Sequence, residues 1–183
     1  MDNARKIRLV SQLVQYGCYL FLMLAVVVVA AMLYQVLFRP DLLQLYMTRD
    51  FQEMFAAVRA VELWRGIPAT LLLFAPAPLL MFATWRLSQL MQLFKQQHFF
   101  TEEAARLLFL FALGWLLFHL LPLPLVFIAS AILSLGTGFD VLGVSLFING
   151  DELPMMVASL SFMVIAWVLR ESVIIARENE AFV

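Results

Sequence analysis

Lys95-Gln96-Gln97-His98-Phe99-Phe100-Thr101-Glu102-Glu103-Ala104-Ala105-Arg106 is a polar stretch between two long apolar runs. Thr101 followed by Glu102 and Glu103 marks a helix start. The hydroxyl can accept an orphan backbone N–H, and both carboxylates sit where the helix dipole is positive. Upstream, residues 79–94 read as a helix entering this turn; downstream, 104–135 read as a helix leaving it. Each arm carries a Pro-x-Pro pair, Pro76/Pro78 before the turn and Pro122/Pro124 after it, and the two pairs are equidistant from Phe100. In an antiparallel hairpin the four prolines would share one membrane depth.

Composition places the chain among membrane proteins. Of 183 residues, 64% are hydrophobic and only 14% charged, with a mean hydropathy of +0.93, outside the soluble globular range. That length holds about four spans of ~20 residues. The expected fold is all-α and polytopic, one domain with four transmembrane helices at about 13–37, 67–86, 107–135 and 155–175. The second helix is expected to continue to residue 94. The first run is preceded by Arg5, Lys6 and Arg8 but is longer than the ~7–15 apolar residues of a signal peptide, so it reads as an uncleaved span.

Between the first two spans, Phe51, Met54, Phe55, Val58 and Val61 recur at helical spacing, while Gln52, Glu53, Arg59 and Glu62 take the other side. Asp50 and Glu53 resemble a capping box, and Trp64 closes the segment. This is an amphipathic helix, lying either at the periplasmic interface or against the bundle. Residues 136–152 carry four glycines and no Lys or Arg, and read as a loop; Asp151 and Pro154 mark the start of the last helix.

Basic residues orient the chain. Eight (Arg5, Lys6, Arg8, Arg86, Lys95, Arg106, Arg170, Arg177) fall on the side of the termini and central turn, against four (Arg39, Arg49, Arg59, Arg65) on the other. The positive-inside rule then predicts cytoplasmic termini. Acidic residues do not discriminate.

Groups that carry membrane chemistry are sparse. Away from their ends the spans hold no Asp, Glu, Lys or Arg of the kind proton-coupled transport needs. One cysteine, Cys18, excludes thiol-pair chemistry. His98 and His119 are 21 residues apart, about 30 Å along a helix, too far to share a haem iron. His119 lies near the bilayer centre just before Pro122. There it either donates to a carbonyl freed by the proline ring or serves as a ligand or proton sensor. Ser130, Ser134, Ser159 and Ser161 read as interhelical glue. Pro76, Pro78, His119, Pro122 and Pro124 together suggest either a midplane cavity or simple bends that aid packing. No cofactor, metal site or nucleic-acid-reading motif is expected, and the protein reads as non-enzymatic.

The string from His98 to Leu107, followed by Leu113-Gly114-Trp115, resembles the signature of a family of small bacterial four-span proteins known as domain of unknown function 2975. Members show Phe-Thr/Ser-x-Glu-Asn before an Arg-rich helix start, a Gly-Trp in the third span and a charged end after the fourth. Here that end is Arg170-Glu171-Ser172, then Arg177-Glu178-Asn179-Glu180-Ala181-Phe182-Val183. Ala104 stands where the family has Asn, and Leu107-Leu108 replace further basic residues. Genes of this family often neighbour a small helix-turn-helix regulator. The resemblance therefore implies a regulatory or adaptor protein of the inner membrane that engages such a partner. Phe99, Phe100, Thr101, Glu102, Glu103 and Arg106 in the turn would dock it with Arg170, Glu171, Arg177, Glu178 and Glu180 in the tail. Arg106 could also pair with Glu178 or Glu180. The alternatives are a small oligomeric transport or ligand-binding bundle, and an accessory subunit of a larger membrane complex.

Overall fold

In a computed structural model the protein is described over residues 3–38, 63–134 and 152–180. Among the described residues all regular structure is helical: α1 (Asn3–Phe38), α2 (Leu63–Phe74), α3 (Ala77–Lys95), α4 (Glu102–Leu120), α5 (Pro122–Ser134) and α6 (Glu152–Glu180). Among the described residues, four stretches are long and apolar enough to cross a membrane: Arg5–Tyr34, Gly66–Lys95, Glu102–Ile132 and Leu153–Ala176. Helix is the form such segments must take, because hydrocarbon offers no partner to a backbone N–H or C=O. The four spans match those expected from the apolar runs. The amphipathic helix at 51–62, the glycine-bearing loop at 136–150 and the cap Asp151 lie outside the described residues.

Two compact units divide the chain. The first comprises Met1–Leu24, Pro78–His119 and Ile148–Val183; the second comprises Ala25–Ala77 and Leu120–Phe147. Within the second and third spans these divisions fall where the helix is interrupted, at Ala75-Pro76 and at Leu121. Proline is the cause. Pro76 has no N–H for the carbonyl of Leu72, which accepts instead from the Ala75 N–H at 3.3 Å. Pro122 and Pro124 withhold donors from Phe118 and Leu120. Helix resumes with Pro122 in its first position, where no donor is needed, and the Leu125 N–H reaches the Leu121 carbonyl at 3.3 Å.

In the first unit α3 and α4 form a hairpin on small residues. Ala83, Thr84 and Ser88 are buried on α3; Ala104, Ala105, Ala112 and Gly114 are buried on α4. Nearer the turn, Leu90, Ala104 and Leu107 make a core flanked by Leu87, Met91, Phe94 and Leu108. On α6 the buried residues Ser159, Ala166 and Val173 recur every seventh position, as do Ser11 and Cys18 on α1. A spacing of seven keeps these residues on one face of each helix, and small residues there let neighbouring backbones approach. Phe111 of α4 meets Phe162 of α6 edge-on at 5.9 Å.

In the second unit α2 packs on α5, with Gly66, Ala69 and Thr70 buried on one helix and Ala129 on the other. Away from these seams the surface is apolar. Leu13, Leu20, Met23 and Trp167 are among the most exposed large side chains, as expected of residues facing lipid rather than water.

Six hydroxyl groups of the described helices are satisfied locally. Thr70, Thr84, Ser159, Ser161 and Ser172 each donate to the carbonyl four residues earlier, at 2.8–2.9 Å, and Ser88 donates to Trp85 at 2.7 Å. Ser159 and Ser161 thus spend their hydroxyl protons inside their own helix, rather than across helices as interhelical glue would, among the described residues. The nearer carbonyl is always within reach of a helical Ser or Thr, and using it lets Ser159 be fully buried against a neighbour.

Space decides what each glycine tolerates. A Cβ on Gly114 would lie 3.1 Å from the Ala83 Cβ and 3.3 Å from Phe82, whereas one on Gly17 would meet nothing within 4 Å. Gly114→Leu should destabilise the hairpin by about 1–3 kcal/mol through overpacking. Gly17→Ala should leave stability unchanged or raise it by up to ~1 kcal/mol through helix propensity. Denaturant midpoints of the two variants in mixed micelles separate these outcomes.

Candidate functional site

The turn between α3 and α4 is closed by backbone hydrogen bonds at both ends. At the α3 end the Gln97 N–H donates to the Phe94 carbonyl at 3.1 Å and the His98 N–H donates to the Leu93 carbonyl at 3.1 Å. This pair of bonds is the Schellman pattern, which satisfies the last carbonyls of a helix and requires one residue in the left-handed region. Gln97 takes that place at φ 65°, where glycine is the usual occupant. Phe99 then folds back to pack its ring on Phe94, centroids 5.5 Å apart.

At the α4 end Thr101 is the N-cap that its sequence neighbours predict. Its Oγ1 accepts from the Ala104 N–H at 3.1 Å, and its carbonyl accepts the Ala105 N–H at 3.1 Å. Glu102 and Glu103 occupy the first turn, where carboxylates oppose the positive end of the dipole. Three residues separate the two caps, so the chain reverses with little freedom.

The turn's predicted site residues divide by exposure. Phe99 and Thr101 are half-buried and belong to the turn's own packing. Phe100 is 77% exposed, and Glu102, Glu103 and Arg106 are exposed beside it. On α6, Arg170, Glu171 and Glu178 are exposed, and Arg177 and Glu180 continue the same helix. Arg106 and Glu178 form no ion pair with each other among the described residues. The Phe111–Phe162 contact ties α4 to α6, about 8 Å along α4 from Arg106 and about 12 Å along α6 from Arg170 at 1.5 Å per residue.

The candidate cavity residues do not fall in one unit. Pro78 and His119 belong to the first and Pro76, Pro122 and Pro124 to the second. His119 sits among aromatic rings of its own helix, Phe118 at 5.1 Å and Trp115 at 5.9 Å. Its Nε2 is buried with no hydrogen-bond partner, so that atom donates to none of the carbonyls freed by proline. No three His, Cys, Asp or Glu side chains converge as a metal site would require, among the described residues.

The feature that sequence reasoning missed is Gln97. A helix end closed through the left-handed region usually announces itself with Gly or Asn, and here neither is present. The only signal is Lys95 in the last turn of α3 followed by polar residues.

The two caps have opposite responses to substitution. Thr101→Ala should cost about 1 kcal/mol of stability and accelerate hydrogen exchange at the Ala104 amide. Gln97→Gly should stabilise by about 0.5–1 kcal/mol, since a non-glycine residue is disfavoured there by roughly 1–2 kcal/mol and glycine loses part of that gain to its freer unfolded chain. Unfolding midpoints and amide exchange of the two variants check both signs.

The chain matches no family model, no curated protein and no solved structure, so the resemblance to domain of unknown function 2975 rests on the quoted residues alone.

Proposed function

We propose that this is a non-enzymatic regulatory or adaptor protein of the bacterial inner membrane, with both termini and the central turn in the cytoplasm. Its soluble partner would dock on the turn and the tail of α6. The orientation rests on the eight basic residues on that side against four on the other. The observation that carries the reading is Phe100, an aromatic ring 77% exposed on a turn capped at both ends. Exposed Glu102, Glu103 and Arg106 flank it. A rigidly held aromatic with a charged surround is the usual form of an interface anchor, because little ordering entropy remains to be lost on binding. The family resemblance adds the kind of partner, a small helix-turn-helix regulator. A stimulus would reach the turn through the second and third spans, whose proline breaks make them the deformable members of the bundle.

Phe100→Ala should weaken partner binding by about 2 kcal/mol, or roughly thirtyfold, as for an aromatic hot spot. Arg106→Glu or removal of residues 177–183 should abolish recruitment while membrane insertion is retained. Affinity capture from native membranes, with each variant beside the unaltered chain, reads all three. Undiminished recruitment in all of them would exclude the turn and tail as the docking surface.

A second reading is favoured by one specific atom. The buried, unpartnered Nε2 of His119 is a polar group held in an apolar setting at a cost, which fits a small transport or ligand-binding bundle. In that case His119→Leu should remove ligand binding or flux. If His119 is only structural, the same substitution should leave both intact and raise stability, since it removes an unsatisfied polar atom.

A further inference from the structure

The end of the bundle that carries the turn also holds a polar groove between α1 and α3. Arg8 and Gln12 line it from α1, Gln92 and Lys95 from α3, and Gln96 from the turn just after α3; its volume is about 460 Å³. All five residues belong to the first unit. We propose that this groove is a binding site for the phosphate headgroup of an anionic phospholipid, whose acyl chains lie down the bundle surface below it. The proposal is independent of the partner-docking function.

Charge is the first argument. Two cations and three carboxamides line the groove, and none of its residues is acidic. Over their whole described lengths α1 and α3 carry Arg5, Lys6, Arg8, Arg86 and Lys95 and no Asp or Glu. A guanidinium, an ammonium and three side-chain amides together present a dense set of N–H donors, suited to the several acceptor oxygens of a phosphate. A cationic and amide cluster without a carboxylate in its lining, at the ends of two candidate spans, is the form a headgroup site takes.

Position is the second argument. Lys95 ends the second candidate span and Arg8 lies near the start of the first, so both cations stand at span ends, where the headgroups of a bilayer around these helices would lie. The size suits a headgroup and its glycerol, at the lower end of small-ligand sites.

The third argument is what continues from the groove into the bilayer, and it separates a lipid from a soluble phosphate. Going down from Gln96 into α3, Gln92 and Gln89 are followed at helical spacing by Trp85, which is exposed. On α1, Arg8 and Gln12 are followed by exposed Tyr16, with Leu9 and Leu13 exposed alongside. Both walls change from cationic and amide to aromatic and aliphatic in the same direction, as an amphiphile does. A soluble anion would gain nothing from that lower half. Gln89 is already engaged, accepting from Arg86 Nη1 at 2.9 Å, whereas Gln92 and Gln96 are exposed at the groove.

Native mass spectrometry of the full-length protein, delipidated and titrated with phosphatidylglycerol or phosphatidylcholine, tests the assignment. Phosphatidylglycerol should be retained as a discrete adduct in preference to phosphatidylcholine, and excess inorganic phosphate should fail to displace it. Arg8→Gln with Lys95→Gln should weaken retention about thirtyfold, taking about 1 kcal/mol per basic residue at an anionic surface and tenfold per 1.4 kcal/mol. Arg8→Lys with Lys95→Arg should keep retention within about threefold, since the charges remain. Gln92→Leu with Gln96→Leu, which leaves every charge in place, should also weaken retention. Arg5→Gln with Lys6→Gln, the same charge loss outside the groove, should change it by less than either groove pair. Equal retention of the two lipids, an Arg5/Lys6 effect as large as the Arg8/Lys95 effect, or displacement by inorganic phosphate would overturn the assignment. The last outcome would identify the groove as a site for a soluble anion.

Discussion

The α3–α4 hairpin depends on how closely two backbones can approach where Gly114 faces Ala83. A side-chain atom at position 114 would already press on Ala83 and Phe82, so the absence of that atom sets the separation of the two helices. Hydrophobic burial cannot hold transmembrane helices together as it does in water, because lipid tails are as apolar as leucine. What remains is close contact. Ala83, Thr84 and Ser88 on one helix and Ala104, Ala105, Ala112 and Gly114 on the other are small for that reason. Larger apolar side chains, Leu90 and Leu107, take over only near the turn.

The same constraint explains the turn. A helix end leaves backbone groups without partners, and the chain reverses between two helices apolar enough to cross a membrane, where unsatisfied groups are costly. Gln97 and His98 donate to the carbonyls of Phe94 and Leu93 at one end, and Thr101 accepts at the other. Once those bonds are made, Phe99 is drawn onto Phe94 and Phe100 is left outward. The exposed ring is thus a consequence of how the reversal is closed, and closure leaves it rigid.

Which features could be read from the residues follows from what each one depends on. The four spans depend on apolar length, which a hydropathy count measures directly. The breaks at Ala75-Pro76 and Leu121 depend on missing N–H groups, which proline declares, and the Thr101 cap depends on a hydroxyl followed by carboxylates. The reversal through Gln97 is different, because Schellman closure is set by backbone geometry, and a residue without glycine's freedom can be forced into it by its neighbours. The buried face of α6 was also illegible. Before Arg170 that helix is apolar on nearly every face, so hydropathy has no period to follow there. Ser159, Ala166 and Val173 are selected by size and by a serine that satisfies itself on Met155.

With the hydroxyls bonded inside their own helices, few polar groups in the spans remain to meet a ligand. The buried side-chain nitrogens without a partner, among the described residues, are Arg86 Nε and His119 Nε2. Arg86 is otherwise engaged: its guanidinium lies 4.8 Å from the centroid of the Phe82 ring and Nη1 bonds Gln89. It therefore acts as a fixed cation partway down α3, anchored by an aromatic face and an amide. Gln89 held by Arg86 stands one turn from Gln92. Arg86, Gln89 and Gln92 of α3, and Gln96 just past its end, thus recur at helical spacing along a helix that has no carboxylate of its own. Lys95 at its end can be answered by an anion from outside the helix. In a membrane the most concentrated source of such anions is the bilayer itself.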